Sequence, residues 1–532
     1  MAKRYKCPKC KTNYLSRNGS NNTGSKPRWV CESRKGGVKI YCYSTTDPEA
    51  PYRRQDGKPV DEPPPKPIKH RVPLSGVKHM VITWAQNATP VHVPFLNALR
   101  AYCKKNDAQL VVITGRYKNP TSQWTQSQAS AEVWDDALSP FLQNQRKKLN
   151  ANIVLAADVK TQPTAVSPTT GFEGLTGGES CVLGHPKVQM RTIATPQNKT
   201  PKILTTTGAV TLPNYTDSRA GKLGEFHHTF GAVIVELGAS VFHMRHISAR
   251  EDGAFIDLDR AYYPDGSTRK APRYKAVIFG DAHYRFADPK VVRATFEKGG
   301  LVDMLDPETL IWHDLLDSYS ITHHHKYNPI IQLAKHKAGL NDARREVEDT
   351  IKWMRRCSKG RKAVVVASNH DDMLSRWILS ANWKDDPTNA EFYLETALHM
   401  AKSARIEAAG AAYVDPFQFW VDRRATAADD ILCLRRGQSF MVGGFDCSLH
   451  GDMGPNGVRG TIRNMSRLGV KTFTGHGHSP GIEEGHRRVG TMTYLRLEYT
   501  RGPGGWLNTH GAIDAFDKAH LYNIVNGEFT YG

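Results

Sequence analysis

The chain has 532 residues, too many for one ordinary domain, so two or three domains with cores of their own are expected. Lysine and arginine outnumber aspartate and glutamate by 72 to 52, a net charge of +20, and the first 80 residues hold 18 basic against 6 acidic side chains, a surplus of 12 in less than a sixth of the chain. No apolar run is long enough to span a bilayer and the opening MAKRYKCPKC lacks the apolar stretch of a signal peptide, which excludes a membrane protein and makes the cytoplasm the expected compartment.

Nine cysteines in a cytosolic chain are expected as thiols or metal ligands rather than disulfides. Cys7, Cys10, Cys31 and Cys42 are spaced C-x2-C-x20-C-x10-C, which predicts a zinc ribbon over 1–43 with one structural zinc, Cys42 being the least regular of the four ligands. Lys3, Arg4, Lys6, Lys9, Lys11, Arg17, Lys26 and Arg28, interleaved with Tyr5, Tyr14 and Trp29, offer phosphate contacts and stacking faces for nucleic acid, DNA first. The segment resembles zinc ribbons at the front of transposases and phage DNA-processing proteins. Residues 44–70 are rich in proline and charge and read as an extended linker.

Over 71–265 the pattern becomes that of a separate α/β domain. VKHMVITWA, AQLVVITGR, ANIVLAAD and FGAVIVELG read as buried strands, with VPFLNALRAYCKKND as an amphipathic helix between the first two. No catalytic set is legible there. His227 and His228 read as structural or exposed, and TSQWTQSQAS as an exposed loop.

Over 266–532 five apolar runs finish in polar residues: KAVIFGDAHYR, TLIWHDLLDS, KAVVVASNHDD, SFMVGGFDCSLHGD and VKTFTGHGHSP. In α/β architectures ligands bind beyond the carboxyl ends of strands, so five such endings describe one site. The helical stretches DARREVEDTIKWMRR and NAEFYLETALHMAKSARIEAAG fall between them as layer-forming connections. In the last ending, His476 and His478 stand one residue apart between glycines. On a strand both imidazoles would aim at one spot, with the glycines clearing the approach, and that geometry suits a metal.

In chain order the endings carry Asp281-x-His283, Asp314-x-x-Asp317, Asn369-His370-Asp371, His450 and His476-x-His478. The series resembles the calcineurin-like metallophosphoesterases, whose motifs run D-x-H, GD-x-x-D, GNH[DE], a lone H and GH-x-H, and the likeness covers the last half of the chain. The resemblance implies a four-layer αββα sandwich and a centre of two divalent ions, manganese favoured, with magnesium, iron or zinc as alternatives. It assigns Asp281, His283 and His478 to one ion, Asn369, His450 and His476 to the other, and Asp314 to both. His370 then meets the phosphate as a proton or hydrogen-bond donor oriented by Asp371, and Asp317 holds a metal-binding imidazole. Two positions depart from the motifs: His313 stands where glycine is usual, crowding or extending the site, and Ser368 replaces another glycine. The run His323, His324 and His325 reads as a loop, because three consecutive side chains do not converge easily.

The chemistry implied is phosphoester hydrolysis by water activated between two cations, with the substrate left open. A basic, aromatic-bearing ribbon on a tether would hold a polymer near the metals, which favours a DNA nuclease similar to repair nucleases of the Mre-eleven type and to phage early nucleases, acting in the host cytoplasm if phage-encoded. Two other readings stand beside it: a phosphomonoesterase or nucleotide phosphodiesterase whose ribbon contacts proteins, and a non-enzymatic DNA-binding protein with a structural metal site. The sequence leaves homo-oligomerisation open.

Overall fold

Wherever apolar residues run between turn formers the chain makes strands, and the protein is a mixed α/β structure built on several sheets. The computed structural model describes residues 5–7, 14–20, 27–35, 38–45, 72–122, 124, 132–196, 199–408, 413–497 and 500–531. Cys10, the side chain of Cys42, most of the Pro-rich linker and most of TSQWTQSQAS lie outside them.

The N-terminal segment forms a three-stranded antiparallel sheet from Ser16–Ser20, Pro27–Lys35 and Val38–Thr45. Cys7, Leu15 and Cys31 are buried in one small cluster, with Tyr5 and Trp29 packed on it edge to face, ring centres 5.3 Å apart. Tyr5 and Trp29, two of the three aromatics expected to stack on bases, are half-buried against this core, and Tyr14 is exposed.

In the middle region, His79–Gln86, Gln109–Gly115 and Gly231–Leu237 lie in a five-stranded sheet, with the helix Val93–Lys105 linking the first two, which pair in parallel. Side-chain alternation divides the sheet: Val81, Leu110, Val112 and Ile234 meet Phe95, Leu96 and Leu99 of the helix, while Ile82, Val111, Ile113 and Val233 turn to the opposite core. ANIVLAAD leaves this sheet. Its strand, Ile153–Ala156, belongs to a ten-stranded sheet with Ser180–Leu183, Met190–Ile193 and Lys202–Thr206. Met190–Ile193 also pairs antiparallel with Gly481–Glu483, covering an edge that would otherwise present unpaired backbone groups. The expected boundary at 265/266 therefore does not separate two layers, since residues on both sides build one sheet.

The six-stranded sheet runs in the order Ile431–Cys433, Lys362–Val365, Thr309–Trp312, Ala276–Ile278, Thr509–Ile513, Ala519–Asn523, the first four parallel. Val277, Leu310 and Ala363 face the helices Ala343–Cys357 and Pro416–Arg424 through Val347, Ile351, Met354 and Trp420. Ile278, Ile311 and Val364 face Phe445, Phe473 and Ile482 of the ten-stranded sheet. Each such side chain contributes roughly 1.5–3 kcal/mol of burial, so the two sheets are held face to face by their own alternation. The outer face of the ten-stranded sheet is covered by Val159, Phe172 and Leu175 of the turn-rich segment 159–178. SFMVGGFDCSLHGD is not one strand but a hairpin, Met441–Val442 and Phe445–Asp446, turned on Gly443 and Gly444, whose φ of +53° and +78° are what a two-residue hairpin loop requires. Among the described residues no helix is long and apolar enough to cross a membrane.

Candidate metal centre

The strands Ala276–Ile278, Thr309–Trp312 and Lys362–Val365 on one sheet, and Phe445–Asp446 and Lys471–Thr474 on the other, end at a common rim. All seven predicted ligands lie within a few residues past those ends, and the structure brings them together. His283, Asp314, His476 and His478 have left-handed backbone, with φ of +38°, +42°, +64° and +50°. Such conformations cost roughly 1–3 kcal/mol each in non-glycine residues and persist only where the surroundings fix them. The strand stops at Thr474, so a strand pleat does not aim His476 and His478 at one spot as expected; the left-handed turns send their rings to different neighbours. Gly475, just before them, is obligatory, because a Cβ there would sit 2.1 Å from Asp281 Oδ1.

Two groups result. Asp281, His283, Asp314 and His478 offer ligand atoms within reach of a single ion, and Asp314, His450 and His476 form a second group that shares Asp314. In the first, His478 Nε2 lies 2.9 Å from Asp281 Oδ2 and 3.2 Å from His283 Nε2. In the second, His450 Nε2 lies 3.1 Å from Asp314 Oδ2 and 3.1 Å from Asn369 Oδ1, and His476 Nδ1 is 2.9 Å from the same amide oxygen. Both carboxylate oxygens of Asp281 are buried without a hydrogen-bond partner among the described residues, although His478 is close by. Buried carboxylate oxygens are not left bare without reason. Imidazole nitrogens, an amide oxygen and two carboxylates gathered this closely in a buried place point at shared centres, as ligands to cations do, so these residues fit a metal.

Electrostatics divides the imidazoles. Burial lowers the affinity of His283 for a proton, but the adjacent Asp317 carboxylate and the charges of Asp314 and Asp281 outweigh it and raise the group to about 9. His450 also reaches about 9, burial again opposing and Asp314 prevailing. At His476 burial wins, helped by the charge of His450, and the group falls to about 4. Burial likewise lowers His478.

The surrounding residues partly follow the expected roles. The Asp317 carboxylate stands 3.2 Å from His283 Nδ1. His370 packs its ring on His283, centres 4.5 Å apart, with Nδ1 3.0 Å from the Asp317 carbonyl oxygen. Asp371 does not orient His370: its buried carboxylate accepts from the Leu316 backbone N–H at 3.1 Å and from Ser368 Oγ at 2.8 Å, which makes it a brace between two loops and gives Ser368 its task. Burial, then the charge of Asp314, pushes the Asp371 carboxyl up to about 8. His313 neither crowds nor extends the cluster. It stands behind His450, Nδ1 to Nδ1 at 3.4 Å. His228 is structural, held by the Tyr215 hydroxyl at 2.8 Å and the Thr211 carbonyl at 3.0 Å.

No family model and no solved structure matches the chain. Over 466 residues it is 30% identical to Protein A1 of Escherichia phage T5, a match that covers 85% of this chain and 83% of that protein. The chain belongs to the Protein A1 family.

In this A1-family chain the cluster opens into a cavity of about 710 Å³. Its wall includes residues that sequence reading did not single out: Arg459, Arg501, Tyr319 and Trp506, whose indole lies edge-on to His478 at 4.1 Å. The signal was faint, an arginine and a tryptophan inside the glycine-rich RGPGGW. His324 and His325 line the cavity from a short 3-10 turn without joining any of the ligand groups.

Proposed function

We propose that this protein is a two-metal phosphodiesterase that hydrolyses DNA, built on a metallophosphoesterase sandwich. The observation that carries the reading is Asp314, one carboxylate common to two groups of buried ligand atoms. A shared carboxylate suits cations about 3.5–4 Å apart, and imidazole with carboxylate suits manganese, iron or zinc. Divalent cations bound there would supply an activated water and neutralise charge on the phosphoryl oxygens. The rest falls to the chain's own groups. The Asp317 carbonyl can only accept, so His370 Nδ1 is the protonated nitrogen, and His370 delivers a proton from Nε2 to a leaving oxygen only as the imidazolium. Arg459 and Arg501 on the cavity wall offer charge-assisted hydrogen bonds to phosphate. The surplus of 12 basic charges in the first 80 residues holds a polyanion nearby.

The test is direct: purified protein is incubated with supercoiled plasmid, linear duplex, RNA and a chromogenic monoester, each with manganese, magnesium or EDTA. Manganese-dependent loss of supercoiled DNA, abolished by EDTA, is expected. A monoester turned over far faster than any DNA would replace the nuclease with a phosphomonoesterase.

A further inference from the structure

Beside the metal cavity lies a second one of about 490 Å³, and Arg501 and Trp506 belong to the walls of both. Lys199, Arg496 and Arg501 line the second cavity, and none of the described residues around it is acidic. Its two walls are tied together: the Thr195 and Gly504 backbones exchange N–H to carbonyl hydrogen bonds of 3.0 Å each way. The same wall is anchored to the proposed ligands, because the Leu507 N–H donates to the His478 carbonyl at 3.1 Å and the Trp506 indole meets the His478 ring. The two cavities therefore meet at Arg501 and Trp506, beside His478, and the described residues of the second carry positive charge.

We propose that the two cavities form one channel that carries an unpaired nucleic-acid strand away from the scissile phosphate, its backbone along Lys199, Arg496 and Arg501 and one base against Trp506. The proposal rests on the nuclease reading and adds the form of the substrate. A basic groove that tracks phosphates, with an aromatic platform for bases, is how single strands are held. A space of about 490 Å³ is that of a small-ligand site, room for a few nucleotides of one strand rather than for a duplex. The enzyme then works on a frayed end, a gap, a single strand or the transiently opened stretches of a supercoiled plasmid.

The experiment measures binding of the full chain, in EDTA, to a labelled short oligothymidylate and to a blunt hairpin duplex of equal length over a range of salt. Intact protein is expected to bind the single strand more tightly. Lys199→Glu with Arg496→Glu should weaken that binding roughly tenfold or more and reduce the slope of log affinity against log salt by about 0.7 for each phosphate no longer neutralised. Trp506→Ala should weaken it by roughly 5- to 150-fold. In manganese, the ratio of turnover on the oligonucleotide to turnover on bis(p-nitrophenyl) phosphate should fall in the double variant, a readout that general misfolding would not move. If intact protein cuts DNA while the double variant binds the oligonucleotide with unchanged affinity and slope, the channel is wrong and the nuclease reading survives. If duplex and single strand bind equally and weaken equally, the single-strand assignment is overturned. If intact protein neither binds nor cuts DNA, the nuclease reading fails and takes the channel with it.

Discussion

The Asp281 half of the cluster and the Asn369 half draw on similar side chains but are held differently. Asp281, His283 and His478 are all buried, at 0, 1 and 7% exposure, and His283 is backed by the Asp317 carboxylate. Asn369 and His476 are half-exposed, and His450 is backed by a second imidazole, His313. A carboxylate behind a ligating histidine fixes its tautomer and strengthens it as a donor, while a neutral imidazole fixes orientation without adding charge. The first half should therefore keep its cation and the second should exchange it, with Asp314 coupling the two.

The largest effect expected is that of Asp314→Ala, which removes a ligand from both halves at once. Hydrolysis should fall below detection, and elemental analysis after dialysis should find both ions weakened together. Two ions per chain with near-normal turnover would mean that the halves are independent. His370→Gln should lower kcat by roughly 100- to 10,000-fold, the range for a lost general acid, with metal content intact. Because His283, Asp317 and His370 also lie within reach of one ion, loss of metal in step with activity would move His370 into the ligand set.

Asp317→Asn and His313→Ala aim at one half each. Either should cost about 10- to 100-fold in the affinity of its own ion, followed by manganese titration with electron paramagnetic resonance. Equal weakening of both ions by either substitution would erase the distinction. A further effect is shared by both halves. His283 and His450 are both raised to about 9, one in each half, so at neutral pH each cation must displace a proton. Apparent affinity should rise about tenfold per pH unit for each ion from near pH 7 and level off above about 9. A pH-independent affinity would mean that those imidazoles are not ligands.

Much of the centre was legible because each ligand follows an apolar strand, and strand ends are local features. The helix expected from DARREVEDTIKWMRR forms as Ala343–Cys357 with Asp342 as its cap, for the same reason. What stayed hidden depends on partners distant in sequence. Nothing in the short Met190–Ile193 strand announces Gly481–Glu483 as its neighbour, so a shared sheet was read as two domains. The adjacency of Asp371 to His370 suggested a partnership, but the carboxylate turns to Leu316 and Ser368 instead. His313 looked like a misfit in a motif until its ring was seen behind His450.

The shared sheet also sets when the site can exist. Gln189 Nε2 donates to Glu483 Oε2 at 2.6 Å across 294 residues, and His478 joins Asp281 from nearly as late in the chain. Closing loops of that length is slow, and neither pairing can form on a nascent chain until the stretch from His478 to Glu483 has left the ribosome. A chain made only as far as Asp314 holds Asp281, His283 and Asp314 without His450, His476 and His478, so neither ligand group can be completed before those histidines are made.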